Sequence, residues 1–321
     1  MHEDPSEQSL PERFEAQRPR LRALAYRMLG SLAETDDVVQ EAWLRLGRVG
    51  PAEVRDLPAW LTTVVTRICL NMLRTRATRR EESLEAFPPD WIAEADQGRV
   101  PEDEALLAEE VGLALLVVLD TLGPAERIAF VLHDLFEVAF DDIAPMMERT
   151  SAAVRQLASR ARRKVRAVPA PDPGTDPARR RQAVEAYLTA ARGGDFEALL
   201  TLLDPDVVLT ADGTAMGTGR PVTLQGALTV AKGARLATGR AGYTALALAD
   251  GEPVLIMAPL GHLALVMRFG FGAADPGAIT RLDVIADPET LRALELGVPD
   301  LGVPDLSGPE ADATPSDEPE G

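Results

Sequence analysis

Residues 149–166, Arg149-Thr-Ser-Ala-Ala-Val-Arg-Gln-Leu-Ala-Ser-Arg-Ala-Arg-Arg-Lys-Val-Arg166, carry seven positive charges and no acid, in a chain of formal net charge −18. Val154, Leu157, Ala158, Ala161 and Val165 recur at i, i+3, i+4, i+7 and i+11, which is one apolar stripe on a helix. Thr150 or Ser151 is placed to cap its first turn by accepting a backbone N–H. Arg155, Ser159, Arg162 and Arg166 then share a second face, with Gln156, Arg160 and Arg163 beside them. Such a face presents guanidiniums to phosphates and base edges, although a merely solvated face has the same composition. What precedes it favours a DNA recognition helix. Ile128, Val131, Leu132 and Leu135 form another stripe after Gly123-Pro124, and Ile143 to Met147 lead through Glu148-Arg149 into the cap. Helix, short helix, tight turn and basic helix is the order of a helix-turn-helix. Pro145 lacks an N–H inside the short helix, which is tolerated if that helix begins near Asp141.

A chain of 321 residues has room for two or three domains. No apolar run approaches a membrane span, and the acidic first residues lack the pattern of a signal peptide. A lone Cys69 excludes an internal disulfide, and three scattered histidines (His2, His133, His262) form no legible zinc site. The expectation is a cytoplasmic protein without metal or cofactor. Its charge is unevenly spread: residues 55–80 hold six Arg against one Asp, residues 81–110 eleven acids against Arg99, and the stretch from Gly297 seven acids and no base. DNA binding follows local charge, so an acidic chain can still bind through two basic islands.

Leu21, Leu24, Ala25, Met28, Leu29 and Leu32 mark a first amphipathic helix. Thr35 is placed to cap a second, with Asp36 and Asp37 in its first turn and Val39, Ala42, Trp43 and Leu46 inward. After the loop Gly47 to Leu57, Pro58 opens a third, with Leu61, Val64, Val65, Ile68 and Met72 on one side. Thr63, Arg67, Asn71 and Arg74 lie opposite, and Arg76, Arg79 and Arg80 extend a second candidate DNA surface. The divisions expected are 1–85, an acidic linker 86–102, helices in 103–168, a Pro-rich linker 169–178, a domain over 179–296, and an acidic tail 297–321. In the third domain two helices, Arg179 to Ala191 and Phe196 to Leu203, precede short apolar runs: Val207–Leu209, Ala245–Ala249, Val254–Met257, Leu263–Phe271 and Ile279–Ile285. Helices followed by antiparallel strands argue for an α+β domain. The chain then repeats Leu-Gly-Val-Pro-Asp from Leu296 and again from Leu301.

Leu32-Ala-Glu-Thr-Asp-Asp-Val-Val-Gln-Glu-Ala-Trp43 resembles the core-polymerase-binding segment of bacterial extracytoplasmic-function (ECF) sigma factors. Leu57-Pro-Ala-Trp-Leu-Thr-Thr-Val-Val-Thr-Arg-Ile-Cys-Leu-Asn-Met-Leu-Arg74 is similar to their minus-ten recognition segment. Leu122-Gly-Pro-Ala-Glu-Arg127 and Ala153-Val-Arg-Gln-Leu-Ala-Ser-Arg-Ala-Arg162 are similar to the start and end of their minus-thirty-five-binding domain. Residues 179–294 resemble the SnoaL-like (NTF2-like) cone fused to one subgroup of these factors. Asp212-Gly213 stands where that subgroup has an Asp-Gly-Gly-Gly-Lys motif, Asp90-Trp91-Ile92-Ala93-Glu94 is similar to its linker motif, and Asp287-Pro288 opens a segment similar to its Asn-Pro-Asp-Lys-Leu ending. The resemblance implies two all-α sigma domains, the second with a helix-turn-helix, followed by an α+β cone.

It also implies roles. Asp36, Asp37, Gln40 and Glu41 would face core RNA polymerase, the alternative for the aspartates being helix-start electrostatics. Arg67, Asn71, Arg74, Arg76, Arg79 and Arg80 would hold the minus-ten strand as promoter DNA opens. Thr150, Ser151, Arg155, Gln156 and Ser159 would meet the minus-thirty-five duplex together with Arg160, Arg162 and Arg163, where Arg to guanine and Gln to adenine are the expected pairs. Trp91, Asp212, Gly213, Asp287 and Pro288 would contribute to an intramolecular contact between cone and sigma domains. Trp43, Trp60 and Cys69 read as core. His133-Asp134 lies in an apolar helix and reads as structural. A cone enzyme using Asp212 or His262, a small-molecule ligand of the cone, and a helix-turn-helix repressor acting without polymerase are the competing readings.

Overall fold

Ser31, Asp56, Thr150, Asp176, Asp195 and Asp287 each accept an N–H from the first turn of the helix that follows, and these caps set where the chain changes direction. The computed structural model describes residues 9–49, 54–82, 112–166, 176–236, 243–272, 275 and 277–299. The expected linker 86–102 with Trp91, nearly all of the second linker and most of the acidic tail lie outside the described residues.

The first unit consists of α1 (Leu10–Leu29), α2 (Leu32–Arg48) and α3 (Leu57–Glu82). α2 starts earlier than the sequence reading placed it. Ser31 is its cap, and Thr35 is buried, its hydroxyl donating to the Ser31 carbonyl at 2.7 Å. Asp36 and Asp37 therefore stand beyond the first turn, where the helix dipole offers them less. The Ser-x-x-Glu spacing of Ser31 and Glu34 was the overlooked signal.

The second unit is α4 (Leu113–Asp120), α5 (Pro124–Phe130) running into a π-helical turn over Val131–Leu135, α6 (Phe140–Met147) and α7 (Ser151–Arg166). α6 begins at Phe140 and accommodates Pro145. α3 packs on α1 and α2, and also on α5 and α6 of the second unit. Its buried arc is wider than one stripe: Leu61, Val65, Cys69 and Leu73 on one line, Thr62, Thr66 and Leu70 on the next. Val64, Ile68 and Met72 are half-buried along the edge of that arc. Arg127 of α5 is also buried, within 3.2 Å of Asp120, and a Cβ on Gly30 would stand 3.6 Å from its Nη2. Burial pushes the Cys69 thiol up to about 12, which leaves it an inert core residue.

The third unit sets α8 (Pro177–Gly193), α9 (Phe196–Leu202) and α10 (Ala227–Leu236) against a seven-stranded sheet ordered β2-β1-β6-β5-β4-β3-β7. The strands are β1 (Leu203–Ala211), β2 (Val222–Gln225), β3 (Thr244–Ala249), β4 (Glu252–Met257), β5 (Leu265–Phe271), β6 (Ile279–Ile285) and β7 (Leu296–Gly297), with α11 (Pro288–Ala293) between the last two. The sheet is mixed rather than a simple antiparallel run, because β1 pairs parallel with β6. β2, α10, α11 and β7 were not anticipated. Four- and two-residue strands are too short for period-2 alternation to register.

Alternate residues of the sheet serve two different cores. Leu246, Leu255, Met267, Phe269 and Leu282 face the cone helices, where Tyr187 meets Phe269 edge-on at 5.4 Å. Ala245, Ala247, Ala249, Val254, Ile256 and Val266 belong instead to the core of the two helical units. Three alanines on one face of β3 let α4 lie close against the strand. A turn of 3-10 helix at Pro259–Gly261 completes the contact: a Cβ on Gly261 (φ +74°) would come 3.4 Å from the Gly30 carbonyl oxygen at the α1–α2 turn.

Ala247→Leu inserts three carbons into a fully buried seam and should cost about 1–3 kcal/mol by overpacking. Thermal denaturation of the full chain measures this; an unchanged midpoint would mean that the seam has room.

Candidate nucleic-acid interface

The apolar stripe read from sequence is the buried side of α7: Val154, Ala158, Ala161 and Val165 are fully covered and Leu157 nearly so. Thr150 caps the helix through its hydroxyl, which accepts the Ala153 N–H at 3.2 Å. The Ser151 hydroxyl donates to Asp141 at 2.5 Å and so ties α7 to α6. The basic residues divide into two groups. Arg162 pairs at 2.5 Å with Asp134, whose side chain is 1% exposed, and this anchors α7 to the π-helical turn. Arg160 and Lys164 both lie on Glu126 of α5, at 3.3 and 2.8 Å. Burial raises the Glu126 carboxyl, but Lys164, the Gly123 N–H and Arg160 outweigh it and hold its pKa below the usual value of 4.5. This tie is present at neutral pH and is lost as the pH falls through the lowered value.

Arg155, Gln156, Ser159 and Arg163 remain exposed on α7. Arg155 lies over the Phe140 ring at 5.5 Å, an arrangement that fixes its direction while leaving its guanidinium edge open. His133 and Asp134 have structural partners: His133 stacks on Phe140 and its Nδ1 lies 3.0 Å from the Val138 carbonyl.

On α3, Arg67, Asn71 and Arg74 are exposed along one line. Arg67 donates to the Pro145 carbonyl of α6 at 3.2 Å, so the edge of this surface is in contact with the helix-turn-helix. Arg76 is turned inward, donating to Glu34 at 3.2 Å and to the Leu29 carbonyl at 2.9 Å. The side chains of Arg79 and Arg80 lie outside the described residues. On α2, Asp36, Asp37 and Gln40 are exposed and Glu41 half-buried; Asp36 pairs with Arg22 at 3.0 Å and Glu41 with Arg45 at 2.8 Å. Leu44, 47% exposed, follows Gln40 and Glu41 by one turn and was missed in the sequence. Its polar neighbours were the signal: an apolar residue within an otherwise acidic, solvated line. Trp43 packs on Phe14 at 4.9 Å, as a core residue does.

Asp212, Gly213, Asp287 and Pro288 meet at one corner of the sheet. The Asp212 carboxylate accepts three backbone N–H groups, from Ala215, Ala286 and Asp287, at 2.7, 2.7 and 2.8 Å. Gly213 has no room for a side chain, since a Cβ would come 2.5 Å from the backbone of Gly219. Asp287 caps α11 through the Thr290 N–H and hydroxyl, and those bonds hold its carboxyl below the usual range. Beside this corner is a cavity of about 540 Å³, lined by Thr210, Asp283, Arg268, Ile285 and Leu294 among others. Thr210 in its lining donates to Asp283, and Arg268 donates to Asp250 through Nη2 while its buried Nε has no partner among the described residues. His262 stands apart in the loop after Gly261, outside that lining. Among the described residues no group of three or more His, Cys, Asp or Glu could hold a metal ion, and no helix is long and apolar enough to cross a membrane.

The chain matches the family model for Sigma-70 region 2 over residues 13–79 and that for Sigma-70, region 4 over residues 112–165. It is 35% identical over 285 residues to the ECF RNA polymerase sigma factor SigJ of Mycobacterium tuberculosis, covering 86% of this chain and 91% of that protein. It is 35% identical over 300 residues to the probable ECF RNA polymerase sigma factor SigI of the same organism, covering 88% and 96%. The crystal structure of the M. tuberculosis SigJ protein aligns over 88% of this chain and 98% of that one, at 29% identity and a TM-score of 0.39.

The two groups of arginine on α7 should separate by experiment. Arg162→Ala strands Asp134 in the core and should cost about 3–5 kcal/mol. Arg163→Ala should leave the thermal midpoint unchanged within about 0.5 kcal/mol. Equal destabilisation by both in thermal melts would remove the distinction.

Proposed function

This chain belongs to the ECF RNA polymerase sigma factors, and from that premise we propose which of its surfaces do the work and what its third unit adds. A sigma factor binds core RNA polymerase and promoter DNA and directs transcription initiation, and this is the activity of the chain. The relatives are sigma factors, not enzymes.

On this reading Arg155, Gln156, Ser159 and Arg163 meet the minus-thirty-five duplex, with Thr150 near the backbone, and Arg67, Asn71 and Arg74 hold the minus-ten strand. Arg162 and Arg76 are assigned structural roles instead, because buried Asp134 and half-buried Glu34 hold their guanidiniums. Asp37, Gln40 and Glu41 form the polymerase surface, with Leu44 as its apolar centre; an apolar anchor ringed by polar residues is the usual layout of a binding hot spot. Asp212 serves as a corner anchor rather than a catalytic base, since its carboxylate is already held by three backbone donors. The chain works in the cytoplasm, where polymerase and promoter are.

The third unit is a clasp. One observation carries this: Arg67 on the minus-ten helix reaches the backbone of α6 in the helix-turn-helix at 3.2 Å. The two promoter elements lie about 25 base pairs apart, roughly 85 Å of duplex at 3.4 Å per base pair. Helices in direct contact cannot occupy both at once, so this arrangement is a closed form that must open on the promoter. The sheet touches both helical units, α4 through β3 and the α1–α2 turn through Gly261, and so holds them together. A repressor acting without polymerase is not favoured by the family.

Two experiments test this reading. Leu44→Glu should weaken binding to core polymerase by about tenfold or more with an unchanged thermal midpoint; undiminished binding would remove Leu44 from the surface. Gly261→Val places a branched side chain at a positive φ against the Gly30 carbonyl and should loosen the clasp. With purified core and the chain's own promoter, it should raise transcript yield at limiting sigma concentration, as should residues 1–168 alone. Yields equal to or below the full chain from both would end the clasp reading.

A further inference from the structure

Residues 296–300 and 301–305 are the same pentapeptide, Leu-Gly-Val-Pro-Asp, in direct tandem. The first copy is seated in a groove. Leu296 and Gly297 pair as β7 with Ala249 and Leu248 at the open edge of β3, and both are buried. The Leu296 side chain joins the core shared with the helical units. The Val298 N–H donates at 3.0 Å to the carbonyl of Val165, in the last turn of α7, where carbonyls lack intrahelical donors. Just upstream, Glu295 is fixed in both directions: its N–H donates to the Asp250 carboxylate at 3.1 Å and its carbonyl accepts the Asp250 N–H at 2.9 Å. The groove thus joins the sheet edge to the end of the basic helix.

Its requirements are few: a backbone N–H for the Asp250 carboxylate, a leucine, a residue that pairs with β3, and a further backbone donor. The second copy, with the Asp300 that precedes it, offers these in the same order, through the Asp300 N–H, Leu301, Gly302 and the Val303 N–H. Pro299 and Pro304 follow at equivalent places and bias the preceding valine toward an extended backbone. We infer that the groove between the β3 edge and the last turn of α7 is a binding site for Leu-Gly-Val-Pro-Asp, and that residues 301–305 are its second, interchangeable occupant. The strap has two registers five residues apart. In the first, α11 is held directly beside the groove. In the second, residues 296–300 become slack of up to about 17 Å, and α11 is free to leave the sheet while the end of α7 stays capped. Because the second copy is tethered next to the groove, its effective concentration is high and the exchange needs no other molecule.

This deepens the clasp reading and rests on it for any effect on transcription, but occupancy of the groove is measured independently. Hydrogen exchange of the β3 amides in the full chain, with β5 and β6 as the internal check of folding, compares Leu296→Asp, Leu301→Asp and the double variant. Leu301→Asp should leave β3 protection at the parent level. Leu296→Asp should lose less than about threefold, since the second copy takes over, and the double variant should lose at least tenfold more. If Leu296→Asp alone loses as much as the double variant, or the double loses nothing, the second copy is not an occupant and the inference fails. The milder pair Leu296→Ala and Leu301→Ala repeats the comparison if the charged double variant does not hold β5 and β6. A redundant groove that leaves transcription unaltered would overturn the clasp and not the exchange.

Discussion

One continuous apolar core binds the molecule together, running from Phe14 in α1 through Ile128 and Val154 to Ile256 and Leu296 in the sheet. Each charged face described on α2, α3 and α7 is the opposite side of a helix whose inner side lies in that core. The direction in which Arg163 or Asn71 points follows from where Ala161 or Leu70 is buried. The composition of the seam matters as much as its extent. Ala245, Ala247 and Ala249 offer a close fit with little apolar area per residue, and hydrophobic stabilisation scales with area. A seam of alanines against helices is well shaped for holding and inexpensive to part, as the proposed clasp requires.

Electrostatics refine what packing lays out. The chain is strongly acidic, and some of its acids are used to hold arginines. Glu34 holds Arg76, Asp134 holds Arg162, and Glu126 holds Arg160 and Lys164. The first two acids withdraw cations from solvent and stiffen the scaffold. Glu126 is different, since both of its partners are half-exposed and can exchange a carboxylate for a phosphate. Basic charge on α7 is therefore graded, from structural through shared to open, within little more than four turns of helix.

Much of this was legible in the residues, and the failures have physical causes. The stripe Val154 to Val165 was readable because helical period and burial coincide, and the helix-turn-helix followed from its neighbours. The role of Arg162 was not, because a helical wheel groups it with Arg155 and Ser159, while its partner Asp134 is brought close only by a π-helical turn 28 residues upstream. Val64, Ile68 and Met72 were expected deeper than they lie, since α3 is covered from two sides and one stripe cannot describe such an arc. Thr35 was taken for a cap although Ser31 begins the helix, a choice between adjacent hydroxyls that local sequence decides weakly. The parallel pairing of β1 with β6 depends on residues more than 70 positions apart, beyond the reach of any local pattern. The polar corner around Asp212 was noticed as a motif, but its work, gathering one N–H from its own turn and two from Ala286 and Asp287, appears only when the chain is folded.

That same parallel pairing sets the order in which the molecule is made. α1 to α7 are built mostly from contacts between neighbouring helices, which form quickly, whereas the middle of the sheet waits for β6 to arrive beside β1. Synthesis runs from the N-terminus, and domains fold as they emerge. Each newly made chain therefore carries both of its basic helices before the sheet that packs on the helical units exists. The contacts between the sheet and the helical units are thus the last that the chain acquires, and the seam of β3 closes over helices that are already folded.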